Sequence, residues 1–218
     1  MIYDENLIWE TIQFQIGIFR YFSYMLIHES PSHLWYNMLT QFTMAWFAMF
    51  RHYGLIGHFE LLLVYLLSGF SGGFAFKIIE NSTNQVNLVG ASAGVFGIAG
   101  LCLWDSIAEM IEFCLIRCGL QDKASSYYDL NQSTFGLSFV AKKRLMFFAR
   151  TSAVIVLVAF DAYAFTTGDN AKRVTVLVHA SGFACGVMLG LALFLFHTSA
   201  RRIVALGKSY SVRQANNS

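Results

Sequence analysis

The chain has 218 residues, of which 56% are hydrophobic and only 13% are charged, and its net charge is +2. Soluble domains carry about 25% charged residues, so this composition excludes a disordered chain, a nucleic-acid-binding module and a small disulfide scaffold. It predicts an integral membrane protein with an all-α fold, a polytopic helical bundle.

Residues 1–30 are rich in apolar and aromatic side chains, but acidic residues and one arginine interrupt every window of spanning length. A spanning helix needs about 20 mostly apolar residues. No basic stretch precedes an apolar core, so the segment is not typical of a signal peptide. We predict an interfacial, partly helical segment here.

Five later stretches are candidate membrane spans. They are Leu34–Phe50, Phe59–Phe76, Leu88–Trp104, Leu145–Phe165 and Val174–Phe196. The predicted membrane domain therefore covers residues 31–197. Residues 198–218 form a polar tail that we expect to be cytosolic and disordered.

The connection between the third and fourth spans, residues 105–144, carries 10 of the 28 charged residues. Asp105, Glu109 and Glu112 fall at helical spacing, opposite apolar residues. This pattern predicts that the third span continues as a helix along the membrane surface. Residues 121–138 are typical of a polar loop.

The four cysteines lie in or beside apolar stretches, with no CxxC pair and no paired histidines. They are Cys102, Cys114, Cys118 and Cys185. Cys114 and Cys118 stand one helical turn apart, as in some metal sites or disulfides, but we expect free thiols.

The distribution of basic residues predicts the orientation. Eleven of the 15 lysines and arginines fall at Arg51, in residues 117–150 or beyond residue 200. That side should face the cytosol, since cytosolic loops carry an excess of basic residues. Residues 1–30 and the loops 77–91 and 166–174 then face outward or into a lumen.

Four polar residues begin or interrupt the predicted spans, all within one or two turns of the outer face: His33, Asn37, Ser92 and His179. Polar groups in spans are costly and are candidate functional residues. A serine and a histidine at matching depth can form a nucleophile–base pair. Alternatively, Ser92 is a small packing residue and His179 donates to a backbone carbonyl.

The third and fifth spans carry glycines at helical spacing. These are Gly94, Gly97 and Gly100 in one span, and Gly182, Gly186 and Gly190 in the other. Small residues let helix backbones approach closely. Two such spans packed together can carry Ser92 and His179 into hydrogen-bond reach. Ordinary close packing without chemistry also explains the glycines, but it does not explain the histidine.

Three motifs, in order along residues 19–195, together resemble the rhomboid intramembrane serine proteases (peptidase family S54). Phe19–His28, followed by His33 and Asn37, is similar to that family's Trp-Arg loop element and its H-x4-H-x3-N motif. Gly90–Phe96 is similar to G-x-S-x-G, and His179 with its trailing glycines is the third motif.

Within the family, residues 20–39 and 161–165 are most similar to the animal secretase-like branch. The chain begins in what corresponds to the loop after the family's usual first span. The family's G-x-x-x-E is also missing, since Ala45–Phe50 stands in its place.

The resemblance implies a Ser92–His179 catalytic dyad, with Asn37 and His33 as oxyanion donors. It further implies supporting roles for four residues: His28, Gly90, Gly94 and Gly182. Gly69, Gly72 and Gly73 should thin the wall of a water-filled cavity. No cofactor or metal is implied.

The implied substrates are transmembrane segments of single-pass membrane proteins, met in the lipid bilayer of the secretory pathway or the plasma membrane. No nucleic-acid partner is expected, and the oligomeric state is unknown. Asp161 in the fourth span is a candidate third member of the catalytic group, but we expect it to pair locally. Alternative functions are an inactive rhomboid-like protein that binds transmembrane clients, and a small transporter or channel.

Overall fold

The computed structural model of the chain describes residues 19, 21–52, 54–80, 90–118 and 139–216. Within these ranges a short 3₁₀ turn, Tyr24–Leu26, precedes five long helices, and no strand occurs. The helices are α1 (Pro31–Met49), α2 (Gly54–Glu80), α3 (Ser92–Arg117), α4 (Phe139–Thr167) and α5 (Asn170–Asn216). Most of the predicted interfacial segment and the predicted polar loop, residues 121–138, lie outside the described residues.

Each predicted span overlaps one helix, so the predicted all-α bundle is confirmed. Four of the described helices, α2 to α5, are long and apolar enough to cross a membrane. The 19-residue α1 is less apolar, because its first three turns contain His33, Asn37 and Gln41. Many large apolar side chains lie exposed on the bundle, among them Phe42 and Phe160, as expected for helices that contact lipid.

The start of α1 is determined by local sequence. Ser30 caps the helix, since its side chain accepts a hydrogen bond from the His33 backbone N–H at 3.2 Å. Pro31 occupies the first helical position, where its missing N–H is not needed. This start places His33 and Asn37 one turn apart on the same helix face.

Helix α3 is the centre of the bundle, with two thirds of its spanning window buried. Its buried face contributes Ile98, Leu101 and Cys102 to a core that also includes Met44 of α1 and Val154 of α4. All other helices are arranged around this one apolar surface.

Helices α3 and α5 are in backbone contact, as the glycine pattern predicts. A methyl group added at Gly182 would collide with the carbonyl oxygen of Ala93, and one at Gly186 with that of Gly97. On α3, a methyl group at Gly100 would collide with the carbonyl oxygen of Phe183. The absence of side chains at these positions is what allows the two helices to approach.

The glycines of α2 lie at close contacts with neighbouring segments. A side chain at Gly69 would collide with Met25, and one at Gly73 would crowd Tyr21 and Tyr24. The segment before α1 therefore packs over these glycines. The third predicted glycine, Gly72, lies against Ala93 and Val178, the neighbours of Ser92 and His179 in the chain; the expected cavity wall stays a prediction.

A cluster of buried and partly buried ionisable side chains lies at the end of the bundle away from Ser92; we call it the distal charge cluster. It consists of Arg51, His52, Glu60, Asp105, Glu109, Glu112, Arg150 and His197. Arg51 Nε lies 3.3 Å from Asp105 Oδ1, and Arg51 Nη2 lies 3.2 Å from Glu112 Oε1. Arg150 Nη2 lies 2.9 Å from Glu109 Oε2. The predicted helical continuation of α3 is confirmed, but its acids face the bundle rather than the membrane surface.

His52 lies in the loop between α1 and α2 and contacts two acids of the cluster. Its Nδ1 lies 2.6 Å from Glu60, and its Nε2 lies 3.4 Å from Asp105. Burial disfavours the charged imidazole, but the hydrogen bonds and charges of Asp105 and Glu60 outweigh it and raise the pKa of His52 to about 9.

The C-terminal tail differs from the prediction. We expected residues 198–218 to be disordered, but α5 continues to Asn216. The tail contains no proline, and adding residues to an existing helix requires no new nucleus. Composition alone therefore underestimated how far this helix extends.

The four cysteines are free thiols, as predicted. Cys102 is fully buried in the core, whereas Cys114 and Cys118 are exposed near the end of α3.

Candidate active site

Ser92 is the first residue of α3, and a turn at Gly90 leads into it. Gly90 has φ +103°, a backbone conformation that only glycine adopts without strain. Its N–H donates to the carbonyl oxygen of Tyr24 at 3.1 Å. The turn therefore presents Ser92 at the N-terminus of a long helix, where backbone N–H groups have no partner within the helix.

The Ser92 hydroxyl lies against a histidine that is itself held by an acid. Ser92 Oγ is 2.8 Å from Nε2 of His179, and Nδ1 of the same ring is 2.8 Å from Oδ2 of Asp161. The His179 and Asp161 side chains are only 12% and 14% exposed. Three helices, α3, α4 and α5, thus contribute one residue each to a continuous line of hydrogen bonds.

Phe96 fixes the plane of the His179 ring. The two rings are stacked, with centroids 4.3 Å apart and planes 13° from parallel. Phe96 lies one turn after Ser92 on α3, so both residues face α5. The stack leaves both edges of the imidazole open to their hydrogen-bonding partners.

Polar groups of α1 lie beside the Gly90 turn. A methyl group at Gly90 would come within 2.8 Å of Nε2 of His33 and 3.3 Å of Nδ2 of Asn37. Asn37 is buried, and its Nδ2 has no hydrogen-bond partner among the described residues. An unpaired buried donor is costly, so this amide is well placed to bind an acceptor group of a ligand.

His28 supports this group from the segment before α1. Its ring lies edge-on to that of His33, with centroids 5.3 Å apart. The structure therefore places His28, His33 and Asn37 side by side, in the neighbourhood of Gly90.

Tyr24 is a supporting residue that sequence reasoning missed. Its hydroxyl donates to the carbonyl oxygen of Gly69 at 2.7 Å, and its own carbonyl accepts the Gly90 N–H. Burial raises the pKa of the Tyr24 hydroxyl, which remains a donor at any ordinary pH. Tyr24 lay inside the first motif, but no periodicity or charge distinguished it from its aromatic neighbours.

The two remaining predicted supporting glycines lie at close contacts. Gly94 packs against Met25 and Tyr65, where a methyl group would come within 2.7 Å and 2.8 Å of their side chains. Gly182 meets the backbone of Ala93, next to Ser92. Both contacts set the distance between Ser92 and the elements around it.

The prediction that Asp161 pairs locally is wrong. We expected a local partner, but the structure pairs it with His179 on the next helix. The two residues are 18 positions apart in sequence, and the turn from α4 to α5 lies between them, so helical periodicity cannot relate the two faces. The signal that could have found Asp161 is its position: an acid six residues before the end of an apolar helix, at the depth of His179.

Comparison with known proteins gives one match. Residues 16–119, a little under half of the chain, match the family model described as Rhomboid domain. The matched range includes His33, Asn37 and Ser92 but ends before Asp161 and His179. Together with the four apolar helices, the match supports the rhomboid family and an integral multi-pass membrane protein. The chain has no significant match to a curated protein or to a solved structure.

Proposed function

We propose that this rhomboid-like chain is an intramembrane serine endopeptidase that cleaves transmembrane segments of single-pass membrane proteins. The observation that carries the proposal is the 2.8 Å contact between Ser92 Oγ and Nε2 of His179. A serine hydroxyl is a weak nucleophile until an adjacent base accepts its proton. Here that base is His179 of α5, whose Nε2 already contacts the Ser92 hydroxyl.

In the acylation step, Ser92 Oγ attacks the carbonyl carbon of the scissile peptide bond while its proton passes to His179 Nε2. The carbonyl oxygen becomes an oxyanion in the tetrahedral intermediate. As the C–N bond breaks, His179 gives the proton to the departing nitrogen, which leaves as an amine. Ser92 then carries the other half of the substrate as an ester.

In the deacylation step, water attacks the ester carbon and gives a proton to His179 Nε2. The ester C–O bond breaks, and the proton returns to Ser92 Oγ. The second product leaves with a new carboxyl end, and the enzyme regains its starting state. The reaction therefore requires no metal and no cofactor.

The donors beside Gly90 are suited to the oxyanion. Asn37 Nδ2 has no protein acceptor among the described residues, and His33 lies against the same turn. The Ser92 backbone N–H, at the positive end of α3, is the third donor. Loss of one such donor in proteases lowers turnover on the order of 10²- to 10³-fold.

The position of the site supports a substrate that enters from the membrane. Ser92 and His33 lie in the first turns of their helices, and His179 lies ten residues into α5, so the site is near one end of the bundle. We place this end at the outer face, in the secretory pathway or the plasma membrane. A substrate helix must unwind to expose its backbone, and glycine in that helix lowers the cost.

Labelling with a fluorophosphonate, which reacts with activated serines, tests the proposal directly. The detergent-solubilised wild type should be labelled, and Ser92→Ala should not. Ser181→Ala is the matched control, because the Ser181 hydroxyl is bonded to Ser71 at 2.7 Å rather than to a histidine. It should be labelled like the wild type.

Cleavage of a co-expressed single-pass reporter, with glycine in its transmembrane segment, tests the substrate class. The fragments should map within that segment and should be absent with Ser92→Ala. A folded wild type that neither labels nor cleaves contradicts the proposal. It indicates instead a rhomboid-like protein that binds transmembrane clients without cutting them.

A further inference from the structure

We infer that Asp161 is a positioning residue that holds His179 in the one tautomer able to accept the Ser92 proton. The inference rests on the proposed function and extends it, because the resemblance implies only a serine and a histidine. It makes the site a line of three residues, Ser92, His179 and Asp161.

The geometry engages both nitrogens of a single ring. Asp161 Oδ2 lies 2.8 Å from Nδ1, and Ser92 Oγ lies 2.8 Å from Nε2. Both distances are those of well-formed hydrogen bonds. The His179 side chain is 12% exposed and that of Asp161 is 14% exposed, so water has little access to replace the hydrogen bond between them.

The chemistry of the acid determines where the proton lies on the ring. An ionised carboxylate only accepts hydrogen bonds, so His179 Nδ1 must carry its hydrogen and donate it to Asp161. In a neutral imidazole the other nitrogen then has a free lone pair. That nitrogen is Nε2, which accepts the Ser92 hydroxyl.

Phe96 cannot perform the same task. Its ring stacks on the face of the imidazole and so restricts the plane, but a face contact does not distinguish Nδ1 from Nε2. With Phe96 alone, both tautomers fit the same pocket, and the one with hydrogen on Nε2 cannot take the Ser92 proton. Asp161 removes that ambiguity.

Asp161 also opposes the charge that forms during the reaction. When His179 takes the serine proton it becomes a cation in a site with little water, where charge interactions are stronger than in solution. The carboxylate of Asp161 is in contact with it. His33 of α1 also interacts electrostatically with His179, but an imidazole cannot supply a negative charge.

The rate of fluorophosphonate labelling measures this contribution. Asp161→Asn keeps the shape but allows an amide to donate to Nδ1, and should slow labelling on the order of 10²-fold or more. Asp161→Glu keeps the carboxylate and should recover part of that loss. Asp169→Asn is the matched control, because exposed Asp169 caps α5 through the Lys172 N–H at 3.0 Å and asparagine caps equally well; it should label like the wild type.

Nitrogen-15 NMR of histidine-labelled protein reads the tautomer without requiring activity, with the His179 signals assigned from His179→Gln. The wild type should carry hydrogen on Nδ1, and Asp161→Asn should populate the Nε2–H form. Hydrogen on Nε2 in the wild type overturns the inference, even if Asp161→Asn does not fold. Labelling of Asp161→Asn at the wild-type rate overturns it as well. An unlabelled wild type contradicts the proposed function instead, and the tautomer still decides the role of Asp161.

Discussion

At the scale of single residues, backbone conformation and close contact decide what the site tolerates. Gly90 has φ +103° and also lies against the His33 ring. Gly54 has φ +71° but nothing near it. Both glycines require a positive φ, but of the two only Gly90 also has a residue of the candidate site, His33, beside it.

Gly90→Ala should therefore inactivate the protein, while Gly54→Ala should only destabilise it. Both variants incur a positive-φ cost of about 1–2 kcal/mol, measured as a lower apparent melting temperature in detergent. In Gly90→Ala the new methyl group also displaces His33, so fluorophosphonate labelling should be lost. Equal labelling of the two variants would show that the contact with His33 does not matter.

At the scale of helices, the pairing of α3 with α5 holds Ser92 opposite His179. In lipid there is no hydrophobic driving force between helices, so close van der Waals packing must hold them together. Gly182 and Gly186 place the two backbones in contact on the same face that carries His179. Helix α4 is far less buried, although it contributes Asp161.

Gly186→Leu tests this pairing away from the reacting groups. A side chain at Gly186 meets the backbone of Gly97, which cannot move aside as a side chain could, so α3 and α5 must separate. We expect a lower melting temperature and loss of labelling. Ala184→Leu, at an exposed position of the same helix, should change neither, and similar losses in both variants would contradict the packing argument.

At the scale of the whole molecule, the two ends of the bundle have different tasks. One end carries Ser92, His179 and Asp161, and the other carries the distal charge cluster, which connects α1 to α5 through buried ion pairs. Breaking one partner of a buried pair leaves an uncompensated charge and typically costs about 3–5 kcal/mol. The cluster therefore holds the helices in register far from the proposed catalytic site.

The stability contributed by His52 should depend on pH. Its pKa is raised from 6.5 to about 9 on folding, so this stability is complete below about pH 6.5 and is lost as the pH rises through 9. The size is at most about 3 kcal/mol. The melting temperature of His52→Gln should be furthest below the wild type at pH 6 and should approach it by pH 10.

His58→Gln is the control for this pH dependence, since exposed His58 bonds only the Gly54 carbonyl among the described residues. It should follow the wild-type melting temperature across the whole range. A deficit of His52→Gln that stayed constant from pH 6 to pH 10 would exclude the proposed titration.

Composition and periodicity were sufficient to predict where the helices lie in the chain, because apolar length and small-residue spacing are properties of each segment alone. Glycine at Gly182 and Gly186 likewise predicted the contact of α3 with α5, since helical spacing defines a face. Local motifs placed His33, Asn37, Ser92 and His179 near one end, because each lies close to a predicted helix start.

Only the tertiary structure decided how those faces are rotated against one another. Asp161 reaches His179 because of the rotation of α4 about its own axis, which an apolar helix with one acid does not encode in its periodicity. For the same reason, Asp105 and Glu112 looked like solvent-facing acids until Arg51 was found opposite them. The sequence by itself determined which helices form and which polar residues are candidates for chemistry, whereas packing between helices determined which of these candidates meet.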